Sequence, residues 1–111
     1  MKLHAGEIPD EVMKFVLDEL GKLNSGELVL ISQDGFLMQI DRLQKLRLSD
    51  WKSERDESNL TESQKKSIAD RIRKEFSSLQ FGRLVVKVTK NRIQLERTEM
   101  QRFTGLDGEG I

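Results

Sequence analysis

The chain has no cysteine and no tyrosine, and only one histidine, one proline and one tryptophan among its 111 residues. Without cysteine there is neither a disulfide framework nor a thiolate metal site, and a reducing compartment is compatible with the sequence. With His4 as the lone imidazole, nucleophilic and acid–base schemes built on His or Cys lack their parts. A metal site needs three or four converging ligands, so His4 by itself does not suggest one. No glycine-rich phosphate loop and no zinc-finger spacing occurs. No apolar run approaches the ~18 residues of a membrane span, and no basic-then-apolar leader follows Met1. The expectation is a cytoplasmic chain that uses no membrane, metal or cofactor. Carboxylate neighbours such as Asp10 with Glu11, and Asp18 with Glu19, read as helix surface, so no enzyme is expected.

What the chain does have is charge, at 34% of residues, and apolar residues that cluster with clear periods. That combination reads as one folded domain over 1–111. The net charge of zero is unevenly spread. Residues 1–50 hold six Lys/Arg against nine Asp/Glu, while residues 66–104 hold ten against four. Asymmetry of this kind suits an anionic partner for the second half, or attraction between the halves or between copies.

The stretch 26–48 carries the strongest local signal. It is preceded by an expected helix over 9–23. Pro9 suits its first turn, and Asp10 and Glu11 suit the positive end of its dipole. Its apolar stripe is Val12, Phe15, Val16, Leu20 and Leu23, widened by Met13 and Leu17. Then Leu28-Val29-Leu30-Ile31 reads as a strand, Gln33-Asp34-Gly35 as a turn, and 36–40 as the returning strand. A two-residue Asp34-Gly35 loop would set Val29 and Ile31 opposite Ile40 and Met38. A three-residue bulged loop would set Leu28 and Leu30 there instead. Residues 41–48 continue as strand or turn into a short helix.

A weaker copy lies at 62–103. Thr61 with Gln64 matches a capping box, and Ile68, Ala69, Ile72, Phe76 and Leu79 form a helical stripe. Leu84, Val86 and Val88 alternate with Val85, Lys87 and Thr89. Lys90-Asn91 is the expected turn, returning Ile93 and Leu95 opposite Val88 and Val86. Aligning Gly26 with Gly82 matches the first strands, whereas Gln39-Ile40-Asp41-Arg42 meets Gln94-Leu95-Glu96-Arg97 only at an offset smaller by one. The bulged three-residue loop in the first copy accounts for the difference. The expected fold is α+β: an αββαββ tandem repeat of units 9–48 and 62–103, forming a four-stranded antiparallel sheet with two helices on one face. Residues 49–61 read as a linker that Trp51, its one aromatic residue, would dock onto the core, residues 1–7 as frayed, and 105–111 as a disordered tail.

The residues Gly26, Ile31, Gln33-Asp34-Gly35 and Gln39-Ile40-Asp41, followed by Lys45-Leu46-Arg47-Leu48, resemble the YezD-like family of small bacterial proteins. Those proteins resemble one such unit, with Glu where this chain has Gln44. The second copy keeps Gly82, Gln94-Leu95-Glu96, Thr98-Glu99 and Arg102 but has Lys90-Asn91 in place of Asp-Gly. The resemblance implies a domain of unknown function, with no catalytic or binding residue to carry over.

Two function classes follow from the residues. In the first, the chain is a protein-interaction or self-association module. The first hairpin is apolar on both faces, and Val29, Ile31 and Leu37 form the surface left for a protein partner or a homodimer. In the second, the basic second hairpin binds nucleic acid or another anion through Arg83, Lys87, Lys90, Arg92 and Arg97. No aromatic residue lies between those cations to stack a base, which weakens the second class.

Overall fold

The computed structural model of the chain describes residues 4–46, 48, 60–89 and 92–100. The elements run α1 (Asp10–Lys22), β1 (Ser25–Gln33), β2 (Phe36–Gln44), α2 (Glu62–Ser77), β3 (Phe81–Thr89) and β4 (Arg92–Glu99). The four strands form one antiparallel sheet in the order β2-β1-β3-β4. This is the expected α+β architecture of two helices and a four-stranded antiparallel sheet. Trp51, the Lys90-Asn91 turn, most of the expected linker and the tail lie outside the described residues.

Each helix begins as its sequence dictates. Pro9 caps α1 through its carbonyl, which accepts from the Val12 and Met13 amides at 3.0 and 2.9 Å. For α2 the capping box is complete: Thr61 Oγ1 accepts from the Gln64 amide at 3.2 Å, and the Thr61 amide donates to Gln64 Oε1 at 2.9 Å. The helices cross antiparallel, joined by Arg73–Asp10 at 2.9 Å near one end and Lys65–Asp18 at 3.9 Å near the other.

The core lies between these helices and one face of the sheet. Met13, Val16, Leu20 and Leu23 meet Ala69, Ile72, Phe76 and Leu79 over Leu28, Leu30, Leu84, Val86 and Val88. Strand side chains alternate, so the even-numbered residues of β1 and β3 are buried and the odd-numbered ones are not. One expectation is corrected here. Phe15, placed in the stripe, is 52% exposed, and Met13 takes the inner position instead. A helix lying on a sheet beside a second helix buries a broad arc, and the apolar pattern of α1 was wide enough to fit two rotations.

The first hairpin differs from expectation at its turn. Asp34 (φ 57°) and Gly35 (φ 84°) form a two-residue turn with both central φ positive, closed by Gln33 opposite Phe36. The extra residue of this hairpin is Met38, which has no register partner because the ladder shifts between Ile31 and Ser32. The result is a β-bulge inside β2 rather than a longer loop. Beyond it Leu30 faces Ile40 and Leu28 faces Arg42, so Ile40 stays on the core side. Residues 41–44 continue as strand. The second hairpin has the expected register, Val88 opposite Ile93 and Val86 opposite Leu95.

Residues 4–9 are tied down rather than frayed. The Gly6 amide donates to the Gly35 carbonyl at 2.7 Å, the Gly35 amide donates to the Gln80 carbonyl at 2.8 Å, and Ile8 enters the core. Buried Ser32 adds a bond from Oγ to the Leu79 carbonyl at 2.7 Å.

Several residues 56 apart have similar surroundings. Leu23 N donates to Leu20 O at 3.3 Å, and Leu79 N to Phe76 O at 3.0 Å. Val16 and Ile72 are both fully buried, as are Leu28 and Leu84. Between β1 and β3 the register pairs Gly26 with Val88, Val29 with Val85 and Ser32 with Gly82, which maps onto itself under the same 56-residue shift. After the bulge the shift is 55. Arg42 contacts Glu19 at 3.0 Å and donates to Gln44 Oε1 at 3.2 Å. Arg97 likewise meets Glu75 at 3.9 Å and pairs with Glu99.

Arg97 does more than its counterpart. It donates to the Glu75 carbonyl at 3.0 Å, to Ser78 Oγ at 2.6 Å and to the Ser78 carbonyl at 3.0 Å, so its guanidinium caps the end of α2. Arg97→Ala is expected to lower stability by about 1–3 kcal/mol, since it leaves the partly buried Glu75 carbonyl unpaired and removes the bonds to Ser78. Arg42→Ala is expected to cost less, about 1 kcal/mol, since Arg42 is itself exposed and makes no bond to a helix-end carbonyl, though its partner Glu19 is largely shielded. Urea midpoints of the two variants check the difference. Arg97→Lys is expected to restore only a minor part, because an ammonium lacks the planar fork.

Candidate interaction face

Because both helices lie on one side, the odd-numbered residues of β1 and β3 form an open face, flanked by alternate residues of β2 and β4. At its centre Val29 sits beside Val85, with Asp41 and Glu96 on the outer strands in the same row. The next row on one side reads Gln39, Ile31, Arg83, Thr98, and on the other Leu43, Glu27, Lys87, Gln94. One end of the face closes with Phe36, Gln33 and Phe81. There Met100 extends the row, its backbone N–H donating a hydrogen bond to the Phe81 carbonyl at 2.8 Å. The opposite end has Ser25, Thr89 and Arg92, with Lys45 joined to the Ser25 carbonyl at 2.9 Å.

Val29, Ile31, Val85 and Phe36 are half-buried, shielded by neighbouring side chains but covered by no other element of the described structure, and Phe81 is half-buried beside them. The face is also charged. Lys87 pairs with Glu96, and the hydrogen bond to that carboxylate, followed by its charge and that of Glu27, raises the lysine pKa above its ordinary value. Asp41 accepts from Gln39 Nε2 at 2.7 Å. Arg83, Lys45 and Arg92 have no carboxylate partner among the described residues.

The sequence-derived surface is thus partly reassembled. Val29 and Ile31 share the open face, but Leu37 does not: it stands opposite Ser32 and packs against the core. The bulge at Met38 is the reason, since the residues on either side of it fall on different faces. Of the expected anion contacts, Arg83, Lys87 and Arg92 lie on the open face and Lys90 lies outside the described residues. Arg97 points to the helix side and is held by Glu75, Ser78 and Glu99, so it is not part of that cluster. Val85, Phe36 and Phe81 were missed by the sequence reading. The spacing of Val85 from Val29 equals that of Gly82 from Gly26, which is the signal that could have found it.

Two hollows mark the surface of the described residues. One of about 520 Å³ runs between the helices over Met13, Leu17 and Ala69, rimmed by charges of both signs. Its floor is closed, with Met13 and Ala69 both buried. A smaller one of about 200 Å³ lies at the opposite end of the face from Phe36 and Phe81, between Lys45, Lys87, Glu27, Ser25 and Thr89. Among the described residues no three His, Cys, Asp or Glu side chains gather as a metal site would require, and no helix is long and apolar enough to cross a membrane. No family model, curated protein or solved structure matches the chain.

Proposed function

We propose that the chain is a non-enzymatic protein-interaction module, built from two copies of one helix–hairpin unit, and that its contact surface is the open face of the sheet. The observation that carries this is which exposed positions keep their character from one half to the other. On the outer side of the helices the charges reverse, with Asp10 against Lys66, Lys14 against Asp70 and Asp18 against Lys74. On the open face the central band is retained: Val29 with Val85, Gln39 with Gln94, Asp41 with Glu96. None of these six is fully buried, so core packing does not account for their retention. Gln39, Ile40 and Asp41 are also residues on which the proposed likeness to the YezD-like family rests.

A partner other than a second copy is the better occupant. In either face-to-face twofold arrangement centred on Val29 and Val85, the carboxylates of Asp41 and Glu96 meet carboxylates. The face is also small. At ~3.3 Å per residue and ~4.8 Å per strand it projects to about 27 by 14 Å, half or less of the ~800 Å² per partner of a standard stable interface.

The test is differential capture from a lysate of the source cells. Ile31→Glu and Val85→Glu are expected to lose a protein that the unaltered chain and Lys66→Glu both retain, with urea midpoints confirming that all variants fold. Equal recovery by the face variants would refute the reading. Retention by a salt-sensitive oligonucleotide instead would return Arg83, Lys87 and Arg92 to the anion-binding role.

A further inference from the structure

Away from its central band the open face has become unlike at its two ends, and the ends are related by the same 56-residue spacing. Phe81 stands where the other half has Ser25, Phe36 where it has Arg92, and Ile31 where it has Lys87. One end is therefore aromatic and aliphatic apart from Arg83, which stands where the other half has Glu27. The other carries Lys45, Lys87 and Arg92 against the single carboxylate Glu27, with the hydroxyls of Ser25 and Thr89, and it holds the hollow lined by Lys45, Lys87, Glu27, Ser25 and Thr89. Lys45 and Arg92 there are without carboxylate partners among the described residues. The open face exposes side chains rather than unpaired backbone, since β1 and β3 are each hydrogen-bonded on both sides. A partner strand would find no ladder to join there. A helix, which needs only side-chain contacts along one stripe, would.

Resting on the interaction-module reading, we infer that the occupant is a single amphipathic helix of a partner protein. Its apolar stripe lies along Ile31, Val29 and Val85, with an aromatic-seeking end over Phe36 and Phe81 and an acidic end over Lys45 and Arg92. The length fits. The face runs about 27 Å along the strands, the span of about 18 helical residues at ~1.5 Å rise. Opposite polarity at the two ends sets the direction of the helix, because an acidic turn placed over Phe36 and Phe81 would lose its solvation with no cation to replace it beyond Arg83.

The probes are two synthetic helical peptides of about 18 residues, matching that span. They share one leucine stripe, and one carries glutamates in its last turn where the other carries lysines. Each is titrated into the full chain and followed by backbone amide shifts. The glutamate peptide is expected to move the amides around Val29 and Val85 and to bind roughly tenfold tighter than the lysine peptide, the scale of a few exposed ion pairs. In the Lys45→Glu, Arg92→Glu double variant that preference is expected to vanish. Equal binding of both peptides on the open face would overturn the inferred polarity while leaving the interaction face in place. Shifts confined to the helices, or none with either peptide, would overturn the helix as occupant. A single-stranded oligonucleotide that moved the same amides more strongly than either peptide, and less at higher salt, would overturn it in favour of nucleic acid. Failure of the face itself is read separately, from the capture experiment with Ile31→Glu and Val85→Glu.

Discussion

Gly26→Ala and Gly82→Ala together are expected to abolish folding, and each alone to cost about 2–4 kcal/mol, at the upper end of what single substitutions do. Both glycines lie in strands with positive φ, at 156° and 153°. A methyl group on Gly26 would overlap the Leu43 carbonyl oxygen and press on the Gln44 Cα, and one on Gly82 would overlap the Thr98 carbonyl oxygen and press on the Glu99 Cα. The colliding atoms are backbone, so relief requires the edge strand to move and the ladder to open. Strain of ~1–3 kcal/mol from the dihedral alone adds to this. The two sites lie at opposite ends of the β1–β3 ladder, about 20 Å apart by strand rise, so their costs should add. The sum of about 4–8 kcal/mol is comparable with the whole stability expected of a domain this size, ~5–15 kcal/mol. Circular dichroism and urea titration of the single and double variants check it. Near-wild-type midpoints for the single variants would show that β2 and β4 do not approach these glycines as described.

Phe76→Ala is expected to cost about 3–5 kcal/mol, the range for truncating a fully buried aromatic ring. Phe76 is the largest fully buried side chain among the described residues and has no exposed area. It sits on α2 among side chains from both helices and from β1 and β3, so the surrounding residues belong to several elements and cannot collapse together into the gap. Phe76→Leu gives the contrast. Its counterpart in the other half is Leu20, so a leucine suits the surroundings in kind, and the cost should fall to about 1–2 kcal/mol. Urea midpoints again provide the measurement. A Phe76→Ala cost below about 1 kcal/mol would place the ring outside the core.

The elements of this fold were legible where one period dominated. Leu84, Val86 and Val88 alternate so plainly that both the strand and its pairing with Ile93 and Leu95 could be read directly. Thr61 and Gln64 carried the capping box in three residues of spacing. The less legible parts share a physical cause: each depends on where a residue sits in three dimensions among choices the pattern leaves equal. The one-residue difference between the hairpins could lie in the turn or in a strand, and only the positive φ of both Asp34 and Gly35 assigns it to the bulge at Met38. That in turn moved Leu37 from the partner surface to the core. Arg97 read as surface charge because a long side chain looks alike in sequence whether it meets solvent or reaches back to a helix end. On the open face Val29 and Ile31 were visible as surplus aliphatics. Their neighbours Val85 and Phe81 were not, since their place there depends on β1 pairing with β3.

The claim that the open face is the working surface, and the helices and core its scaffold, is tested most directly by site-specific photocrosslinking. The absence of cysteine makes this clean, because a benzophenone can be attached at single introduced cysteines. Probes at Gln94 and Gln39, on the open face, should each give a discrete crosslinked product in a lysate of the source cells, and probes at Lys14 and Lys66, on the outer side of the helices, should give none. Products from Lys14 or Lys66 with none from Gln94 and Gln39 would contradict the account.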